Sequence, residues 1–303
     1  MLNKINYQDK YGFFTVLEKT NSIDPKVSII MSAYNTPKEF LSKSIESVLN
    51  QTYDNFEFII INDGANKLTS NILDSYAKKD NRIRLGIQNN MGLTKSLNRG
   101  ILIARGKYIA RQDTDDIWIK SKLEKQIKII STKHSIILVG TLCKIVNKNF
   151  KNISENIDGY DERLKIKNTQ EIKKALTYFN PFCHASILID KNILQKIGCY
   201  NDNYTYSQDY ELWIRVLKQY NAYILPNFLT IKIFHNESIT GGSKRRKQRL
   251  FGLKSRYTAI KSFDNSIYRK SKLQLEYYII YILPESLIVI LKKIFRKNNN
   301  ESN

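Results

Sequence analysis

Between Lys26 and Val146 the chain repeats one pattern: a short apolar run of strand type, then a stretch with helical apolar spacing. This repetition constrains the fold more than any other feature. Strand-like runs occupy residues 27–31, 56–61, 82–87, 107–110 and 136–146. Among the intervening stretches, Leu41, Ile45, Val48 and Leu49 share one helical face, residues 93–104 read as a helix, and Leu123, Ile127 and Ile130 mark another. Thr36-Pro37-Lys38-Glu39 predicts a helix start, with a capping hydroxyl, a proline at the first helical position and an acid three residues after the cap. Strand–helix repeats of this length favour a mostly parallel sheet with right-handed crossovers and flanking helices, an α/β fold.

In such sheets ligands bind beyond the carboxyl ends of the strands. Three polar clusters stand there: Tyr34-Asn35 after the first run, Asp63 after the second, and Arg111-Gln112-Asp113-Thr114-Asp115-Asp116 after the fourth. No G-x-G-x-x-G follows the first strand and no G-x-x-x-x-G-K-[ST] occurs, which disfavours a dinucleotide oxidoreductase and a P-loop NTPase.

Asp113, Asp115 and Asp116 lie within four residues, and carboxylates that close repel unless protonated or neutralised. At about 4 Å and an effective dielectric of about 20, two unit charges interact by about 4 kcal/mol, enough to require a compensating partner. A hard divalent cation, Mg²⁺ or Mn²⁺, shared with the oxygens of a phosphorylated substrate would supply it. The residues alone also allow an Asp-rich turn that caps the next helix.

Several fragments in fixed order carry a family resemblance: residues 27–35, VSIIMSAYN; 44–53, SIESVLNQTY; 56–64, FEFIIINDG; then NMGL at 90–93, SLNRGI at 96–101 and ARGKYIAR at 104–111, leading into D-T-D-D. More loosely, His184-Ala185-Ser186, residues 208–215 and His235-Asn236-Glu237-Ser238 continue it to about Thr240. The chain resembles the family 2 glycosyltransferases, nucleotide-sugar-dependent inverting enzymes of the GT-A fold. The resemblance implies that Ser32, Ala33, Tyr34 and Asn35 line the nucleotide pocket, with the Tyr34 ring against the base and Asp63 accepting from the base edge. The family's usual first acid at this place is Asn62 here. It further implies Asn98, Arg111, Asp113 and Asp115 as donor-binding residues, and Asp115 and Asp116 of the D-x-D-D motif as ligands of Mn²⁺ or Mg²⁺, with His235 as a further ligand.

An inverting transfer needs one base to take the acceptor hydroxyl proton, while a metal stabilises the departing diphosphate. Asp209, in Ser207-Gln208-Asp209-Tyr210-Glu211-Leu212-Trp213, resembles the family's base, although the residue before it is Gln208 where Glu is frequent. Without the resemblance, Asp209 reads as a first-turn helix acid favoured by the macrodipole.

The formal charge is +21, of which +11 lies in residues 241–303. The excess suits an anionic partner or a Lys/Asn/Ile codon bias. No nucleic-acid-binding motif accompanies it, and nucleic acid is not expected. Residues 277–291 are mostly apolar but short of the roughly 20 residues of a bilayer span. An interfacial segment held by basic residues on anionic lipid fits, as does a helix packed on the catalytic domain. Three cysteines without a C-x-x-C pair, and a polar start without an apolar leader, predict a cytoplasmic protein, peripheral on the inner membrane face if the tail binds lipid.

The expected division is an arm over 1–25, a nucleotide-sugar-binding α/β half over 26–146, an acceptor and catalytic-base half over 147–240, and a basic helical tail over 241–303. The expected activity is hexosyl or N-acetylhexosaminyl transfer from a nucleotide sugar, UDP-sugar favoured, to a cell-envelope glycan or lipid-linked glycan. A non-catalytic nucleotide-sugar or membrane-surface binding protein of the same fold is the alternative.

Overall fold

A computed structural model describes residues 2–19, 24–154, 160–234 and 245–283. His235, the pair Gly241-Gly242 and residues 284–303 lie outside the described residues, and with them the expected His235 ligand and the end of the apolar tail run.

The chain opens with a hairpin of β1 (Asn3–Asp9) and β2 (Gly12–Glu18). The alternation follows: β3 (Val27–Ala33), α1 (Lys38–Leu49), β4 (Phe56–Asp63), α2 (Lys67–Lys79), β5 (Ile83–Gln88), α3 (Leu93–Ile103) and β6 (Tyr108–Gln112). Then come β7 (Asp116–Trp118), α4 (Lys122–Thr132), β8 (Ile136–Asn147), α5 (Tyr160–Leu164), α6 (Thr169–Leu176), β9 (Leu188–Asp190), α7 (Lys191–Lys196), α8 (Gln208–Gln219) and β10 (Asn221–Phe234). Two helices, α9 (Arg245–Phe263) and α10 (Ile267–Ile282), complete the described chain.

All ten strands join one mixed sheet, ordered β1-β2-β5-β4-β3-β6-β9-β8-β10-β7. The predicted runs form its centre: β5, β4, β3 and β6 are mutually parallel. Every residue of β4 is buried, as a parallel strand covered on both faces requires. Side chains alternate between faces, so Ile30, Ile59 and Ile61 pack with Leu97 and Ile101 of α3, while Ile29, Met31, Phe58 and Ile60 pack with Leu41 and Ile45 of α1. Fully burying one such side chain stabilises the fold by about 1.5–3 kcal/mol.

The structure departs from the sequence reading in three places. Thr36 does not cap α1: Pro37 occupies the N-cap without a side-chain bond, and the Thr36 hydroxyl donates to Thr114 Oγ1 at 2.8 Å, reaching the acidic loop. Residues 3–18, read as part of an arm, extend the sheet, with β2 antiparallel to β5. Charge pairs hold them there. Arg84 is ion-paired with Glu18 and, at 2.8 Å, with Glu57, and Arg99 grips Asp9 through Nε at 2.9 Å and Nη2 at 3.0 Å. Finally, the 14-residue β10 was not predicted; it runs parallel to β8 and carries the sheet on past residue 146.

Candidate active site

The parallel centre sets the site, because β3, β4 and β6 deliver their carboxyl ends to one edge of the sheet. After β3 the chain turns through Asn35, whose φ of 47° is left-handed and suits a short amide side chain. Asn35 Oδ1 accepts from Asn66 N at 2.7 Å, tying this turn to the start of α2. Tyr34 beside it leaves its ring 52% exposed, open to a flat partner, while Ser32 and Ala33 end β3 opposite Ile61 and Asn62.

Asp63 ends β4 almost fully buried. Its Oδ1 accepts from Gln88 Nε2 at 2.7 Å and Met91 N at 2.7 Å, and its Oδ2 from Gly92 N at 2.9 Å. Asp63 therefore shapes the loop before α3, and a base edge reaching it meets a carboxylate already accepting three N–H bonds. Asn62 serves its own turn, accepting from Ala65 N and donating to Ser70 Oγ. Asn98 lies elsewhere: its amide donates to Tyr11 Oη, the Tyr200 carbonyl and Asp202, and accepts from Tyr200 N, joining α3 to the hairpin turn and to the segment before α8.

The acidic loop leaves β6 and is held at three points. Ser44 Oγ donates to the Asp113 carbonyl at 2.6 Å, and Gln112 Nε2 donates to Ser44 Oγ and to the Asp116 carbonyl. Arg111, buried at the end of β6, is ion-paired with Asp113; burial opposes its charge, but Asp113 keeps the guanidinium firmly protonated. Asp116 opens β7 opposite Lys232 of β10, an antiparallel register pair. Burial, together with Asp113, Cys183 and Asp115, pushes the Asp116 carboxyl well above the usual range, and Lys232 opposes that rise. Burial works against the Lys232 ammonium, but Asp116, Cys183 and Asp113 hold its proton.

A cavity of about 400 Å³ opens at this edge, with Arg111, Asp113, Asp115, Asp209 and Lys232 in its lining. Asp209 reaches it from the first turn of α8, which starts at Ser207 in the left-handed region with φ of 54°. Burial raises the Asp209 carboxyl, while the Tyr210 amide, Arg111, Lys232 and the Asn180 amide, which donates to Oδ2 at 2.7 Å, hold it back. The structure thus brings Asp209 together with Arg111, Asp113 and Asp115. Ser32, Ala33, Tyr34, Asn35, Asp63, Asn98 and Asp116 do not line this cavity.

A divalent cation fits this donor set. Asp116 Oδ2 is sealed from solvent with no hydrogen-bond partner, and Asp113 and Asp115 add hard carboxylate oxygens nearby. Among the described residues no three His, Cys, Asp or Glu side chains converge to hold a metal unaided. One or two carboxylates completed by substrate phosphate oxygens is the arrangement Mg²⁺ commonly takes.

Sequence reasoning did not assign several cavity residues. His184 packs there with Nε2 2.6 Å from Tyr200 Oη, and burial, Arg111 and Lys232 keep its ring neutral. Cys143 and Cys183 share a thiol hydrogen bond, which brings Cys183 down to about 7 and pushes Cys143 up. Arg163 comes from α5. A lone cation or thiol has no periodic signature.

Comparison with known proteins decides the family. The model for "Glycosyl transferase family 2" matches residues 28–198, more than half of the chain. The chain belongs to glycosyl transferase family 2. An uncharacterized glycosyltransferase of Methanocaldococcus jannaschii is 36% identical over 252 residues, covering 80% of this chain and 83% of that protein. The O-antigen biosynthesis glycosyltransferase WbnJ of Escherichia coli is 32% identical over 194 residues, 64% of this chain and 72% of WbnJ. Among solved structures, S. aureus TarS 1–349 in complex with UDP-GlcNAc superposes with a TM-score of 0.62 at 16% identity, over 84% of this chain and 72% of that one. Mannosyltransferase PcManGT from Pyrobaculum calidifontis, in complex with GDP-Man and Mn2+, gives 0.61 at 14% identity, over 86% and 71%. The fold is GT-A, as the resemblance implied, and the family 2 glycosyltransferase is an enzyme. Against the longer TarS chain, this glycosyltransferase spans 44% of the length.

Proposed function

We propose that this glycosyltransferase moves a hexosyl or N-acetylhexosaminyl group from a nucleotide sugar, a UDP-sugar first, to a hydroxyl of a cell-envelope glycan, with inversion. The observation that carries the reading is that Asp209 and two acids of the D-x-D-D loop, Asp113 and Asp115, face one cavity from separate elements. Residues 26–146 supply the donor side and residues 147–240 the acceptor side and the base.

Asp209 takes the proton of the acceptor hydroxyl as that oxygen bonds to the anomeric carbon from the face opposite the diphosphate. The bond from the anomeric carbon to the diphosphate oxygen breaks, giving the glycoside and a nucleoside diphosphate, with the proton on Asp209. Mn²⁺ or Mg²⁺ on Asp115 and Asp116 would offset the leaving group's charge when bound. Arg111 holds Asp113 in place, and Lys232 adds positive charge beside the departing phosphates. Tyr34, with Ser32, Ala33 and Asn35, offers a face for the base.

The C-terminal helices support a membrane-surface role on the cytoplasmic side. Leu273 and Ile280 of α10 pack against α9, while Tyr268, Leu275, Tyr278 and Ile282 leave an exposed stripe at helical spacing on the opposite side. Lys270 and Lys272 flank it, a composition suited to an anionic lipid interface. No helix among the described residues is long and apolar enough to cross a membrane.

Release of nucleoside diphosphate from a panel of UDP- and GDP-sugars, with glycan acceptors and Mn²⁺ or Mg²⁺, tests the transfer. Turnover abolished by chelator and by Asp115→Ala or Asp209→Ala is expected. Turnover unchanged in those variants sinks the mechanism, and donor binding without turnover across the acceptors favours a non-catalytic binder.

A further inference from the structure

Among the described residues three cationic side chains line the cavity, and two of them face carboxyl groups of the acidic loop. Arg111 is paired with Asp113, and Lys232 is held by Asp116 and Asp113. Arg163 is different. Among the described residues it makes no ion pair; its Nε, like that of Arg111, is sealed from solvent without a hydrogen-bond partner, and its guanidinium lies 5.2 Å from the Phe179 ring. Burial pulls its pKa down, with only Cys183 and Cys143 acting against that.

A guanidinium is a rigid planar fork of N–H donors that matches a carboxylate or phosphate in two-point contact. A charge partly withdrawn from water without a partner costs stability, so such a fork in a cavity wall is an anion site awaiting its anion. It stands on a different element from the acidic loop, which joins β6 to β7. Arg163 also comes from α5, in the half that carries Asp209.

We propose that Arg163 receives an oxyanion carried by the acceptor, a carboxylate or phosphate substituent, and thereby selects acidic glycans. The inference rests on the reading of the cavity as the transfer site. It adds the chemical class of the acceptor, which neither the family nor the acidic loop specifies. The donor diphosphate is the other source of the same chemistry, and binding separates the two.

Protein with Mn²⁺ and UDP is titrated by calorimetry with methyl glucuronide and glucose 6-phosphate as charged probes, and methyl glucoside as the neutral one. UDP itself is titrated in parallel. The charged probes are expected to bind at least ten-fold more tightly than the neutral one. Arg163→Gln is expected to erase that preference with UDP affinity within two-fold of wild type, and Arg163→Lys, which keeps charge but not the fork, to restore part of it. Equal binding of charged and neutral probes by wild type, or none of either, overturns the proposal. So does an Arg163→Gln variant that loses UDP affinity instead. Failure of the wild type to bind UDP at all counts against the transfer reading and is read separately from the probe comparison.

Discussion

Asp116 and Lys232 are register partners across the antiparallel β7–β10 pair, so an acid from the D-x-D-D loop and a cation from the last described strand are fixed opposite each other by backbone hydrogen bonding. Asp116 is held toward its neutral form by burial and by its acidic neighbours, and Lys232 is the positive charge opposing this. Metal binding needs the ionised carboxylate.

Lys232→Met therefore raises the Asp116 pKa further. Mn²⁺–UDP affinity is expected to fall about ten-fold near neutrality, corresponding to about 1.4 kcal/mol, and to recover as pH rises. Calorimetric titration across pH 6 to 8.5 checks this; affinity lost equally at every pH would show that Lys232 acts on the phosphates alone.

Asp209 is raised by burial and held back in part by the Asn180 amide. Asn180→Leu removes that restraint, so the acid limb of the kcat profile should move to higher pH, while Asp209→Asn should lower kcat by about 10³-fold or more, within the range for a general base. The stability sign is opposite. A carboxyl with a raised folded pKa binds protons more tightly in the native state, so its stabilising contribution exists at low pH and is lost as pH rises through that pKa. Asp209→Asn is thus expected to melt at or above the wild-type temperature at pH 7.5, and a lower Tm would contradict this.

Lys122 is fully buried, its Nζ 3.7 Å from the Trp118 ring centroid and 2.9 Å from Gln126 Oε1. Burial sets its pKa well below the ordinary 10.5. The unfolded chain then binds the extra proton, so stability climbs with pH between the depressed folded value and the unfolded one. Lys122→Met should flatten that climb in urea denaturation series between pH 7 and 10.

Glu57 accepts from Ser28 Oγ, the Arg105 amide and Arg84 Nη1 in a buried network that also includes Glu18. Glu57→Ala leaves Arg84 short of one counter-charge inside the protein, and breaking a buried pair costs about 3–5 kcal/mol. Chemical denaturation should record a loss of that size, and a smaller one for the Glu57→Ala/Arg84→Met pair.

The sequence disclosed what periodicity encodes. β3, β4 and β6 are short apolar runs closed by polar residues, and the D-x-D-D loop and Asp209 are motif residues at element ends. The rest lacks that signature. β10 contains Pro226 and Asn227 and shifts register against β8 twice between Leu225 and Thr230, which breaks the alternation a strand is recognised by. β1, NKINYQD, is an exposed edge with five polar or charged residues in seven, so its composition is that of a loop. Thr36 looked like a cap because a hydroxyl before a proline fits that pattern, yet Thr114, 78 residues away, claims it. Asp63 and Asn98 hold backbone rather than line the cavity, a distinction set by long-range hydrogen bonds that no local pattern records.

The hairpin of residues 3–18 lies outside the family match, which begins at residue 28, yet it covers β5 through the pairs Thr15–Ile87, Val16–Gly86 and Leu17–Leu85. It acts as a stopper. A chain trimmed to the shared family segment would present the ladder groups of β5 to solvent, ready to pair with the same strand of another molecule. Protection of that edge is thus delegated to sixteen residues, none of which lines the cavity.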